Sequence, residues 1–294
     1  MKNYKRASGP YLVWSALFIV VPVVMVLFYA FTSADGQWSL SNFQRFLTGS
    51  TMGTLWRSIR VALWTTLLCL LIGYPLAYLI SQMRTSYRAT ALTLVVVPMW
   101  MNFLLRTYAW VTILSKKGIL NTVLGLFGVE PLDLLYTDGA VMLGMVYNFL
   151  PFMVLPIYTV LEKMDRGLIE AAADLGANRA RIFRKVIFPL SIPGVASGIS
   201  MVFIPAISTF EITALLGGNK MNLIGNVVEQ QFTVTGDWNY GSSMAVVLMV
   251  FLVLSLLFSR DEEKASAKKG RSKNEFDLTQ QVLMEHEEAT KIDV

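Results

Sequence analysis

The chain has one cysteine, Cys69, and one histidine, His286, among its 294 residues. A single cysteine inside an apolar run excludes a disulfide framework and a thiolate metal site. A lone histidine in a polar segment excludes a His-based triad and a His-cluster metal centre within this chain. No Gly-Lys dipeptide occurs anywhere, so the chain has no phosphate-cradling P-loop. Charge is scarce as well: 15% of residues are Asp, Glu, Lys or Arg, against about a quarter in ordinary soluble domains.

What the chain has instead is apolar length. Hydrophobic residues make up 54%, and mean hydropathy is +0.53. A helix of roughly 20 apolar residues crosses the hydrocarbon of a bilayer. Six stretches qualify: Tyr11–Phe31, Ile59–Ile80, Ala89–Leu114, Ala140–Leu161, Leu190–Leu216 and Gly241–Ser259. The expected class is an all-α polytopic membrane protein with six transmembrane helices. The first stretch exceeds the ~7–15 apolar residues of a signal peptide and reads as a retained span.

Net charge +5 and a pI near 9.2 follow from basic loops rather than from a nucleic-acid partner. With both termini cytoplasmic, 18 of the 25 Lys and Arg residues fall on that side, which is the orientation expected. The expected organisation is a cytoplasmic N-terminus (1–10), a membrane domain (11–259) with a long cytoplasmic loop at about 162–189, and a mobile tail (260–294). The tail mixes Lys, Glu and Ser with too little apolar surface to fold alone.

Helix breakers lie inside the spans: Pro22, Pro75, Pro98, Pro151 and Pro156 in the first four. Pro189, Pro193, Gly194, Gly198 and Pro205 crowd around the fifth. Freed backbone groups at membrane depth are tolerated against neighbouring helices or a cavity, so the fifth span reads as bent, closely packed and facing a path.

The long loop contains "EAAADLGANRARIFRKVIFP", Glu170 to Pro189. Three alanines follow Glu170 in a strong helix former. Gly176 suits the left-handed position that ends a helix, and Asn178 suits the cap of a second, basic helix carrying Arg179, Arg181, Arg184 and Lys185. Small Ala171 and Ala172 side chains let such a helix sit deep in a partner's groove. The alternative is an amphipathic helix on lipid headgroups with its arginines as anchors.

This stretch resembles the coupling motif of ATP-binding-cassette importer permeases: Glu-Ala-Ala, three residues, Gly, nine residues, Ile, one residue, Leu-Pro. Glu170, Ala171, Ala172, Gly176 and Pro189 match, while Val186 and Phe188 stand at the Ile and Leu places. Within that superfamily the chain is similar to spermidine/putrescine permeases of the PotB/PotH type, through "NFLLRTYAW" (102–110), "GILN" (118–121), "YNFLPFMVLPIY" (147–158) and "LLGGNKMNLIGN" (215–226). The resemblance implies a type I importer architecture with a coupling helix between spans four and five. It also implies a second homologous permease subunit, an ATPase dimer carrying ATP and magnesium, an extracytoplasmic substrate-binding protein and a polyamine cargo. ATPase-coupling residues would be Glu170, Ala171, Ala172, Gly176, Arg179 and Pro189.

A flexible polycation calls for carboxylates and aromatic faces along its path. Glu211, placed by hydropathy near the end of the fifth span, is the first candidate, with Pro205, Trp100, Tyr108 and Trp110. Trp238 and Tyr240 are further aromatic candidates, although aromatics at span ends also serve as interfacial anchors. The competing reading of Glu211 is a solvated headgroup-level acid or a partner of Arg106. Exposed Asp133, Asp138 and Asp237 are weaker candidates for docking a binding protein or attracting cations. Two other functions compete: the same machine carrying another small solute, such as an amino-acid derivative or metal complex, and a secondary transporter. The latter needs an ion-binding constellation or paired broken helices, and no acidic cluster lies in the spans. No nucleophile–base pair supports a membrane enzyme.

Overall fold

A computed structural model describes residues 9–257 apart from Ala34 and Asn219. The basic residues before Gly9 and the tail from 260 lie outside the described residues. Helices carry almost the whole described chain, and its one isolated bridge pairs Thr32 with Trp38.

Among the described residues, five single helices are long and apolar enough to cross a membrane: α1 (Val13–Ala30), α3 (Thr51–Gln82), α7 (Asp138–Glu162), α9 (Arg179–Ser208) and α12 (Trp238–Leu257). The short α2 (Ser41–Thr48) follows α1. The third predicted span is not one continuous helix. It is α4 (Thr85–Trp100) followed by α5 (Phe103–Leu114) and α6 (Ile119–Leu126), bent by 94°. Counting that pair as one span gives six. The break has a local cause. Pro98 lies in the last turn of α4, and Asn102 leaves the helical region to accept hydrogen bonds from the Leu104 and Leu105 amides at 2.9 and 3.4 Å, starting a new helix.

The fifth span also differs from expectation at both ends. It begins at Arg179, so the basic segment runs into the span without a break. A π-helical turn at Phe183–Ile187 precedes Pro189; such a turn accommodates a residue that cannot donate to the helix ladder. The helix stops at Ser208. Glu211 therefore lies outside the fifth helix, as the first residue of the separate α10 (Glu211–Gly217), which is followed by α11 (Ile224–Gln230).

The described chain forms two compact units. The first gathers the residues up to Leu68 with Val97–Phe149 and Val202–Leu254. Its core is a knot around Asn226. The Asn226 Oδ1 accepts from the Thr213 hydroxyl at 2.6 Å and the Leu223 amide at 3.1 Å, while its Nδ2 donates to the Phe210 carbonyl at 3.0 Å. The Ile224 amide donates to Ser58 Oγ on α3 at 2.8 Å. Broken helices leave orphan backbone groups, and this knot satisfies several of them where water is scarce. Gly218 takes the left-handed conformation (φ +56°) with its α-carbon against the Tyr136 ring, where a side chain has no room.

The second unit holds Cys69–Val96, Leu150–Met201 and, of the described residues, 255–257. Here α7 is gripped from two sides. Gly194 and Gly198 of α9, four residues apart, bring that helix against Met153, Pro156 and Ile157; a β-carbon at Gly194 would stand 2.9 Å from the Pro156 carbonyl oxygen. Gly73 of α3 meets Met153 and Val154 in the same way. Close approach at small residues is the usual basis of helix association in lipid. The close packing expected of the fifth span is thus present.

Candidate functional site

Between α7 and α9 the chain builds α8 (Arg166–Asp174). Its start is fixed by Asp165, whose carboxylate accepts from the Gly167 amide at 2.9 Å. Its end is a left-handed cap at Gly176 (φ +76°), where the Gly176 and Ala177 amides donate to the carbonyls of Ala173 and Ala172 at 2.9 and 3.1 Å. Asn178 then caps α9, accepting from the Arg181 amide at 2.9 Å. The helix–turn–helix read from the sequence is present, with both capping residues in the expected roles.

No residue of α8 is buried. Glu170, Ala171, Arg179 and Pro189 are exposed and Ala172 is half-buried. Leu175, directly after the helix, is 89% exposed. The segment on its far side is anchored. Phe183 and Phe188 pack against Tyr74 with ring centroids 5.8 Å away in each case, and the Tyr74 hydroxyl lies 2.9 Å from Ser191 Oγ. Phe188, at the Leu place of the motif, keeps its packing role. A rigid root therefore carries an uncovered helix. It presents outward Leu168, Ala171, Ala173, the carboxylates of Glu170 and Asp174, and Arg166.

The residues predicted for the substrate path are less unified. Trp100 is 80% exposed at the break between α4 and α5, and Tyr108 is exposed on α5. Trp110 stacks edge-on with Tyr147 at 5.4 Å. Pro205 and Glu211 are half-buried on either side of the α9–α10 break. Helix α10 packs against α5, but among the described residues no hydrogen bond, ion pair or ring contact joins Glu211 to Trp100, Tyr108 or Trp110. The alternative pairing of Glu211 with Arg106 is not made either. Arg106 is 8% exposed, its Nε and Nη1 have no hydrogen-bond partner, and its guanidinium carbon lies 5.8 Å from the Phe103 ring centroid.

Other acids and aromatics are already engaged. Asp237 bonds Arg45 at 2.8 Å, and the Arg45 guanidinium stacks 4.0 Å above the Tyr240 ring. Asp133 pairs with Lys116 at 2.9 Å. Trp238 packs against Tyr29 and Phe232. Among the described residues no group of three His, Cys, Asp or Glu side chains is arranged to hold a metal.

Sequence reasoning missed one cluster. Arg88, one of the 18 basic residues placed on the cytoplasmic side, reaches the carbonyls of Ser81 and Met83 at 3.0 and 3.1 Å and lies 3.7 Å from Glu162. Glu162 Oε1 accepts from the Tyr158 hydroxyl at 2.6 Å. The i, i+4 spacing of Tyr158 and Glu162 was the only signal available.

Known proteins decide the family. The family of binding-protein-dependent transport system inner membrane components matches residues 70–261. The chain belongs to that family. Spermidine/putrescine transport system permease protein PotB of Haemophilus influenzae is 39% identical over 249 residues, covering 82% of this chain and 87% of the relative. PotB of Escherichia coli is 38% identical over 252 residues, with 83% and 92% covered. More distant is the inner membrane ABC transporter permease protein YdcU of Escherichia coli, at 27%. Among solved structures, a bacterial ABC transporter involved in the import of alginate matches with TM-score 0.73 at 18% identity, covering 89% of this chain and 95% of that one. The MetNI methionine ABC transporter matches with TM-score 0.55. This inner-membrane component thus shares the fold of ABC importer permeases. It is a multi-pass membrane protein and a transport-system subunit.

Proposed function

We propose that this chain is the permease subunit of a polyamine importer, forms half of the translocation pathway, and is driven by a separate ATPase that grips α8. The supporting observation is the uncovered helix itself: Glu170–Gly176 stands out from an anchored root with no residue buried. The chain lacks a P-loop, so the nucleotide and its magnesium belong to the partner. In this reading the loop at 162–189 and both termini are cytoplasmic, a second homologous permease subunit completes the pathway, and a binding protein delivers spermidine or putrescine from outside. The PotB relatives support that cargo.

Hydrolysis acts by differential contact. The ATPase must bind α8 more tightly in one membrane conformation than in the other, and the coupling equals that difference. Half-buried Glu211, with no partner among the described residues, is the carboxylate available to a polycation. Exposed Trp100 and Tyr108 offer ring faces.

One observation favours the same machinery with a different solute: the buried Arg106 guanidinium, whose Nε and Nη1 have no hydrogen-bond partner and whose charge no acid among the described residues neutralises, is a poor neighbour for a polycation. One experiment addresses both. The complex of ATPase, both permease subunits and binding protein is reconstituted, and ATP hydrolysis is measured with spermidine, putrescine and unrelated solutes. Stimulation by a polyamine supports the proposal, and stimulation only by another solute supports the second reading. In the Glu211→Gln complex polyamine uptake should weaken with assembly intact; unchanged uptake kinetics remove Glu211 from the path.

A further inference from the structure

Arg88 joins two helix ends next to α8. Only Met83 and Arg84 separate α3 from α4, so a side chain in the first turns of α4 can fold back over the end of α3. Arg88 does so. Its Nη2 donates to the Ser81 and Met83 carbonyls at 3.0 and 3.1 Å, groups that a helix C-terminus leaves without intrahelical partners. Its Nη1 lies 3.7 Å from Glu162 Oε1, at the last residue of α7. Glu162 is held in turn by the Tyr158 hydroxyl at 2.6 Å.

Two features separate this cluster from an ordinary surface ion pair. The Arg88 side chain is 14% exposed, and its Nε is buried without a hydrogen-bond partner, so a donor remains unused. Arg88 and Glu162 also line a cavity of about 210 Å³ together with Arg166, the first residue of α8, and Glu170. Three residues separate Glu162 from Arg166. The link is a turn in which the Met164 amide donates to the Leu161 carbonyl at 3.4 Å, so α8 begins close to Glu162 in the chain. At 3.7 Å the ion pair is too long for a hydrogen bond, so it has room to tighten as well as to part.

We propose that Arg88 and Glu162 are positioning residues for coupling: the pair ties the end of α7 to the end of α3, so that movement of α8 is passed to both spans together. This rests on the proposed role of α8. Losing the pair leaves the ATPase docked and hydrolysing while fewer solute molecules move.

The test uses the complete reconstituted complex and reads ATP hydrolysed per solute imported, together with the amount of assembled complex. Glu162→Gln keeps the shape and the acceptor for Tyr158 but removes the charge. Arg88→Lys keeps the charge but cannot span two carbonyls and a carboxylate. Both are expected to assemble at wild-type levels and to raise the ratio about threefold or more, the size of effect seen for residues that transmit coupling without touching a ligand. A ratio unchanged from wild type in either assembled variant overturns the proposal. Loss of assembly in Glu162→Gln overturns it too, because the cluster then merely holds the fold. A wild-type complex that shows no solute-stimulated hydrolysis overturns the role of α8 instead, and this inference falls with it.

Discussion

The segment around Asn226 and the segment around Glu170 are built in opposite ways. Both interrupt long helices, and both contain a glycine in the left-handed conformation, Gly218 and Gly176. Around Asn226 the freed polar groups close on one another, and Thr213, Leu216, Leu223 and Asn226 are buried. Around Glu170 the caps are equally well made, yet the helix between them buries nothing. A break whose capping groups bond inward and whose apolar side chains are buried is a piece of core. One whose caps are satisfied but whose apolar side chains point outward is made to be covered by something else.

Three substitutions sharpen that contrast. The largest effect is expected from Asn226→Leu, which leaves the buried Leu223 amide without its acceptor, while the Thr213 hydroxyl can still donate to the Phe210 carbonyl at 2.9 Å. At ~1–3 kcal/mol for one unsatisfied buried group, the loss is on the order of 2 kcal/mol, read as a lowered Tm of the purified protein in detergent. A Tm equal to wild type would mean the knot is not the core described. Gly176→Val comes next. A β-branched residue in the left-handed region costs about 1–2 kcal/mol locally, and there is open space around the site, so the chain should insert normally while the ATPase copurifies poorly. Smallest in stability is Glu170→Lys, an exposed change expected to stay within about 0.5 kcal/mol of wild type. Its effect belongs to coupling: substrate-stimulated ATP hydrolysis by the complex should be lost, and full stimulation would remove Glu170 from the contact.

How much of this was legible in the sequence follows from how local each signal is. The helix, glycine cap and Asn178 cap of the α8 loop were legible because such determinants are neighbours in the chain and caps act within a few residues. Long apolar spans were equally plain. The 94° break after Trp100 was not, since a hydropathy window averages across Met101 and Asn102 and registers only that both sides are apolar. The same averaging placed Glu211 inside the fifth span. The Asn226 knot joins residues 13, 16 and, through the Ile224–Ser58 bond, 166 positions apart, and no local pattern announces such partners. Arg88 was hidden for a related reason: at the end of a span a basic residue is the expected anchor, and only the fold brings Glu162 beside it.

The central claim is that α8 is held by a separate ATPase. The most direct measurement places a photo-activated cross-linking side chain at Leu175, 89% exposed, in the assembled and transport-competent complex. The account predicts a covalent adduct with the ATPase subunit. Adducts with lipid alone, in a complex that still imports its solute, would contradict it.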